Sequence, residues 1–354
     1  MFIGTLYQQT DQFRRQLGGA LDTVGLGPLA TPSRTLVAEP CGTLKAYPSA
    51  PGDAGPPVLL IPAPIKRAYI WDLAPGASVV SRLIGAGLRP YLLQWEPPGE
   101  TERGFGLTDY ADRLVRHGVD AIAADTGHPS VALAGHSLGG TLAALFAALY
   151  PERVKGLILL GAPLHFGRGV GIFGALVAGA PPARQLMTAF GNVPGSVLNE
   201  ICGLAAPVTF GWARWLDLLG SLADPRQLRT HLLVERWTLD ELALPQRLFE
   251  EVVELLYRED RFMRGTLRIG DKSARPDQVT APLLSVVDRR CVIAPPAAVT
   301  PFHRAVASTD KGLLWYDGDT GVAFQHVGML VGRNAHQRLW PAIIRWVWAH
   351  TGRA

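Results

Sequence analysis

Val131-Ala-Leu-Ala-Gly135-His136-Ser137-Leu138-Gly139-Gly140-Thr141-Leu142 is the stretch whose reading decides the fold. Its first four residues form a short apolar run, the mark of a strand buried on both faces. From Gly139 to Tyr150 small and apolar residues continue as a helix, which Pro151 stops. Between the two lies a G-x-S-x-G pentapeptide. In a chain with 39 glycines the bare pattern would carry little weight. Placed between a buried strand and a helix, it describes a sharp turn that lifts a serine hydroxyl above the sheet, with glycines where side chains would collide. Ser137 is therefore the candidate nucleophile. The backbone N–H of Leu138, at the helix start, is the first candidate oxyanion donor.

Working outward, the same alternation repeats. Val58–Ile61, Tyr91–Trp95, Gly156–Leu160, Leu283–Val287 and Leu313–Tyr316 read as strands, and Arg34–Tyr47 as strand material broken by Pro40 and Gly42. Helical stripes lie between them, including one through Val79–Ile84, one that Asp109 is placed to cap, and a closing helix over Arg338–His350. Strands alternating with helices imply a mostly parallel, doubly wound sheet, that is, an α/β class chain of the α/β-hydrolase fold. The rhythm breaks from about His165 to Lys272, where Gly- and Pro-rich loops and short helices carry Trp212, Trp215 and Trp237. The expected organisation is an N-terminal amphipathic segment (1–33), a core (34–164 and 281–354) and an inserted cap (165–280). Cap core is the expected place for its tryptophans.

A serine nucleophile needs a base, and in this fold the triad runs Ser, acid, His along the chain. Of nine histidines, His326 in Gln325-His-Val-Gly328 stands after the last strand and before the final helix, as a base should. His136, beside the nucleophile, is expected to point elsewhere. For the acid, Asp288 at the end of Leu283–Val287 is the chosen candidate, with Asp317 and Asp319 as alternatives. The second oxyanion donor is expected from the loop after Val58–Ile61, at the backbone N–H of Ile65.

Other chemistries find little support. Gly169-Val-Gly171-Ile-Phe-Gly174 matches G-x-G-x-x-G, but it does not directly follow a strand and no acidic residue stands about twenty positions on, so a lid hinge fits better than a nucleotide site. No Walker or H-E-x-x-H sequence occurs, and neither cofactor nor metal is expected. A net charge of +4 with scattered Lys and Arg gives no nucleic-acid signature. Three widely spaced cysteines fit a reducing compartment better than a disulfide framework. With no signal-peptide pattern at the start and no apolar run long enough to span a bilayer, a cytoplasmic location is expected. The 354 residues are 48% hydrophobic and 18% charged, ample for a sizeable core. A mean hydropathy of +0.15 reflects that core or an apolar surface turned to a greasy substrate, a partner or a membrane.

Beyond the elbow, the chain resembles the polyhydroxyalkanoate synthases over nearly its whole length, especially the short class that works with a partner subunit. The matching segments are Ile61-Pro-Ala-Pro-Ile-Lys-Arg-Ala-Tyr-Ile-Trp-Asp-Leu73, Asp109-Tyr110, Glu235-Arg-Trp237 with Asp240 and Pro245, Leu256-Tyr-Arg-Glu-Asp-Arg-Phe262, Gly265-Thr-Leu267, and His326-Val-Gly328 with Val331-Gly332. The resemblance implies an oxyanion donor at Ile65, a catalytic His326, an acyl-coenzyme A substrate and, as partners, a further subunit, a second copy or a polyester granule surface. Two departures stand out. The family's nucleophile is cysteine, where this chain has Ser137. Counting back from Pro295-Pro296, as in the family, places the acid at Cys291 rather than at an aspartate.

Three readings follow. The first is a serine hydrolase or acyltransferase acting on hydroxyacyl esters or acyl thioesters. The second is a polyester synthase fed by hydroxyacyl-coenzyme A that uses serine. The third is a silent synthase-like subunit that binds a synthase or a granule. A serine oxyester is less activated toward transfer than a cysteine thioester, so water competes better and hydrolysis is favoured.

Overall fold

A computed structural model describes residues 2–48, 55–187 and 190–352. Eight strands form one sheet: β1 (Arg34–Glu39), β2 (Gly42–Ala46), β3 (Pro57–Ile61), β4 (Arg89–Trp95), β5 (Val131–His136), β6 (Val154–Leu160), β7 (Leu283–Asp288) and β8 (Lys311–Tyr316). Their spatial order is β1-β2-β4-β3-β5-β6-β7-β8. From β4 to β8 every neighbouring pair is parallel, while β1 and β2 add an antiparallel edge. The chain is thus α/β, with the expected doubly wound sheet.

The central strands carry no alternation because both faces are covered. Every residue of β3, β5 and β7 is buried. Odd members such as Leu59 and Leu133 pack into one apolar layer, and Leu60 and Ala134 into the layer on the opposite face. Helices α1 (Phe2–Leu21), α2 (Leu114–Thr126) and α3 (Leu138–Leu149) precede the interruption of the sheet. Asp109 does not cap from outside its helix. It lies in the first turn of the segment Thr108–Arg113 and reaches back to accept the Gly106 N–H at 2.9 Å.

Between β6 and β7 the chain leaves the sheet for a run of helices, among them α4 (Gly195–Ala205), α5 (Ala213–Ser221) and α6 (Pro225–Trp237), and a small hairpin over Leu267–Ala274. The Gly169–Gly174 run opens the helix Gly171–Gly179, and its Ile172 N–H donates to the Val292 carbonyl in the turn after β7 at 3.2 Å. Helix α1 is tied to this region. Asp11 accepts the Gly195 and Ser196 amides at the head of α4, Arg14 pairs with Glu241, and Asp22 pairs with Arg236 of α6.

The tryptophans divide in a way the sequence reading did not expect. Trp237 is buried, but Trp212 and Trp215 are 72% and 66% exposed. They belong to a stripe, Val208, Trp212, Trp215, Leu219 and Leu222, whose three- and four-residue spacing puts one apolar face of α5 and the preceding turn in solvent. The expectation of a place in the cap core holds for Trp237 and fails for Trp212 and Trp215, because helical spacing does not say which side of a helix the core takes.

After β8 come α7 (Gln325–Val331) and α8 (Trp340–Thr351). His326 is the second residue of α7 rather than a residue of an open loop. Among the described residues no helix is long and apolar enough to cross a membrane.

Candidate active site

The pairing of β3 with β5 ends on Ile61 opposite Gly135, and that of β5 with β6 ends on His136 opposite Leu160. One residue further the Ser137 N–H donates to the Leu160 carbonyl at 3.0 Å, so the serine is held by the last rung of the sheet. Its backbone takes φ 55° and ψ −132°, a conformation that costs a non-glycine residue of the order of 1–3 kcal/mol. Close packing holds it there. A Cβ at Gly135 would stand 2.5 Å from the Gly140 Cα, and one at Gly139 would stand 2.2 Å from the Ile61 carbonyl oxygen. The Ser137 hydroxyl does not cap its own helix. Leu138, as the first residue of α3, carries an N–H without an intrahelical acceptor.

The loop after β3 lies across from this turn. Trp95 Nε1–H donates to the Pro62 carbonyl at 2.7 Å. The Leu242 N–H donates to the Ile65 carbonyl at 3.1 Å, and the Arg67 N–H to the Asp240 carbonyl at 3.3 Å. Ile65 is thereby pinned between the core and the segment that follows α6. Ile65, Ser137, Leu138 and His326 all line one cavity of about 370 Å³, a usual size for a ligand site. Most of its wall is apolar and is supplied by the helices between β6 and β7, including Leu198 of α4 and Phe249.

The cavity also holds charge. Lys66, next to Ile65, donates to Glu241 at 2.9 Å and to the Thr238 carbonyl at 2.5 Å. Burial lowers the Lys66 pKa against the pull of Glu241. Burial would raise Glu241, but Lys66 and Arg14 outweigh it and hold the carboxyl low. The sequence reading did not single out this pair, because a lone Lys and a lone Glu 175 residues apart carry no pattern.

His326 is buried, and its Nε2 has no hydrogen-bond partner among the described residues. Burial, helped by the neighbouring His136, pushes its pKa well below 6.5. The ring is neutral at neutral pH and offers an unengaged nitrogen on the cavity wall. His136 does not point away as expected. It packs on His326 with ring centroids 4.6 Å apart, and its Nε2–H donates to the His326 carbonyl at 2.8 Å.

The acid position is where structure and sequence reading part. The partner of His326 Nδ1 is Cys291 Sγ at 3.3 Å, not Asp288. Asp288 ends β7 fully buried. One carboxylate oxygen accepts the Arg290 N–H at 2.8 Å and the other has no hydrogen-bond partner among the described residues. The chain turns there, and three residues on it presents Cys291 to the ring. Asp319 is occupied elsewhere, accepting from the Tyr316 hydroxyl and from the Asn334 and Ala335 amides. Asp317 contributes its backbone carbonyl to Arg290. Among the described residues no group of three or more His, Cys, Asp or Glu is arranged to hold a metal ion.

A family model described as the alpha/beta hydrolase fold matches residues 92–180, which include the Ser137 turn. The poly(3-hydroxyalkanoate) polymerase subunit PhaC of Haloferax mediterranei is 30% identical over 293 residues, covering 82% of this chain. The subunit of the same name from Allochromatium vinosum is 24% identical over 349 residues, 97% of this chain and 96% of its own. The chain has the α/β-hydrolase fold and is similar in sequence to poly(3-hydroxyalkanoate) polymerase subunits. It spans 58% of the length of the Haloferax polymerase subunit and 60% of its counterpart from Haloarcula marismortui. Among solved structures, a soluble variant of monoglyceride lipase from Saccharomyces cerevisiae superposes with a TM-score of 0.57 at 16% identity, covering 91% of this chain and 96% of the lipase. An esterase from Thermogutta terrifontis reaches 0.53 at 16% identity, covering 91% and 100%. At such identities these two speak for the synthase-like chain's fold alone.

Proposed function

We propose that this chain is a serine-dependent acyl hydrolase or acyltransferase acting on hydroxyacyl esters or acyl thioesters. The observation that carries the reading is the strained Ser137 turn sharing one apolar cavity with the unengaged Nε2 of His326. Ser137 Oγ attacks the acyl carbonyl while His326 Nε2 takes the hydroxyl proton. The carbonyl oxygen becomes an oxyanion facing the Leu138 and Ile65 N–H groups. Collapse expels the leaving alcohol or thiol, which collects the proton from the imidazolium. The ester on Ser137 is then attacked by water, giving the free acid, or by the hydroxyl of another hydroxyacyl unit, giving a longer chain.

Likeness to poly(3-hydroxyalkanoate) polymerase subunits favours a second reading, a polymerase that draws on hydroxyacyl-coenzyme A and extends the chain from Ser137. A third, a silent synthase-like subunit, draws support from the thiol standing where an acid is expected. For partners, the exposed stripe from Val208 to Leu222 suits a polyester or other apolar surface. Labelling with a fluorophosphonate, wild type beside Ser137→Ala, tests the enzyme readings. Label on wild type alone supports them, and no label on wild type overturns them in favour of the silent subunit. Hydroxyacyl-coenzyme A then separates the first two, since coenzyme A is released with free acid in one case and with polymer in the other.

A further inference from the structure

His326 Nδ1 decides what this histidine can do. A ring that takes a proton at Nε2 must carry its own proton at Nδ1. A carboxylate at Nδ1 enforces that arrangement, because a carboxylate only accepts. In this chain the group at 3.3 Å is the thiol of Cys291, buried and fixed in turn by the Ala294 N–H at 3.3 Å. A thiol both donates and accepts. It can accept a hydrogen bond from Nδ1–H, which leaves Nε2 bare, or donate its S–H to an unprotonated Nδ1, which leaves the ring proton on Nε2.

We infer that Cys291 is the positioning residue of His326, and that it holds the base in two tautomers with no anion beside it. The inference rests on the reading of His326 as the base for Ser137. Three observations converge on it. Cys291 is the partner of Nδ1. Asp288 spends one oxygen on its own turn and leaves the other unpartnered rather than on the ring. Asp319, the remaining nearby carboxylate with partners of its own, is committed to Tyr316, Asn334 and Ala335. Burial pushes the Cys291 thiol up to about 11, so it is uncharged at neutral pH. A neutral thiol orients the ring but gives no charge to offset the imidazolium formed when Ser137 is deprotonated.

Replacing Cys291 by aspartate then supplies what is missing. The substitution keeps the side chain short, forces the proton onto Nδ1 and sets a negative charge against the ring. An opposite charge at that range raises a histidine pKa by about 1–3 units. The test compares wild type with Cys291→Asp and, as a neutral control of the same shape, Cys291→Asn. The expected result is that the acid limb of the kcat/KM profile moves up by about one pH unit or more in Cys291→Asp only. With it, kcat rises by about tenfold or more, part of the roughly 10⁴ that separates a carboxylate from a neutral amide in a serine triad. In ¹⁵N-histidine spectra, assigned by loss in His326→Gln, wild type should show both ring nitrogens averaged between protonated and bare. Cys291→Asp should show a protonated Nδ1 alone.

An acid limb that stays in place in a folded Cys291→Asp variant would overturn the inference. So would a wild-type ring already locked with its proton on Nδ1 and released by Asp288→Asn, which would return the role to Asp288. The spectra need no turnover. A protein that fails to label at Ser137 would defeat the enzyme reading and still answer the question of the tautomer.

Discussion

His136 Nε2 lies 2.8 Å from the backbone carbonyl of His326, so the residue before Ser137 holds the backbone of His326. The donor must be protonated and the ring neutral, since burial pushes the His136 pKa down to about 4. His136→Phe keeps the ring stacking but removes the donor. The expected outcome is a loss of about 1 kcal/mol in unfolding free energy, read from urea denaturation. A fall in kcat with KM little changed should accompany it, because the ring is displaced rather than the substrate.

Acid should unfold this protein earlier than its carboxylates require. Burial holds both His136 and His336 down to about 4. The unfolded chain takes up protons on these rings near pH 6.5, while the folded chain resists them until about pH 4. Stability is therefore full above pH 6.5 and is lost as the pH falls toward 4, by at most about 3 kcal/mol for each ring. Denaturation midpoints at pH 7.5 and 4.5 check this, and His336→Gln should flatten the slope.

The elbow depends on the absence of a single carbon. Gly139→Ala would drive a Cβ to 2.2 Å from the Ile61 carbonyl oxygen and 2.4 Å from the Pro62 carbonyl carbon, both backbone atoms that cannot swing aside. The expected cost is about 3 kcal/mol, the upper end of the usual range for overpacking. Fluorophosphonate labelling should disappear even in the fraction that folds, because the turn that lifts Ser137 no longer closes.

Breaking the charge pair in the cavity wall should be worse than removing it. Glu241→Ala strands Lys66 and is expected to cost about 3–5 kcal/mol. Glu241→Leu combined with Lys66→Met should recover much of that. Thermal unfolding of the single and double variants decides the point.

The identity of the nucleophilic atom should govern the fate of the acyl group. In Ser137→Cys the ester becomes a more activated thioester, so transfer to a hydroxyl should gain several-fold over hydrolysis. Product analysis with hydroxyacyl-coenzyme A, counting free acid against oligomer, measures the ratio.

Most of the fold was legible because its signals are local. Strands buried on both faces read as unbroken apolar runs, and β3, β5, β6 and β7 fell within two residues of where those runs stood. Ser137 was legible for the same reason, since the strand, the glycines and the helix are contiguous. The third partner of the base was not, because a contact between positions 288–291 and 326 depends on how a turn is wound. Counting to Cys291 came nearer to the observed neighbour than choosing the nearest aspartate at the strand end. The exposed face of α5 was also hidden, since periodicity reports that a helix has an apolar side and is silent on whether anything covers it.

Helix α5 has a second face. Asp217, on the turn between Trp215 and Leu219, accepts the Gly321 and Ala323 amides at 2.9 and 2.8 Å and the His231 ring at 2.7 Å. Ala323 sits at φ 57°, three residues before His326. The two sides of one short helix thus meet solvent and the backbone leading to the base. Arg214 of the same helix also lies over the Phe324 ring, so the Asp217 carboxylate and this cation–π contact together join α5 to the segment that leads into His326.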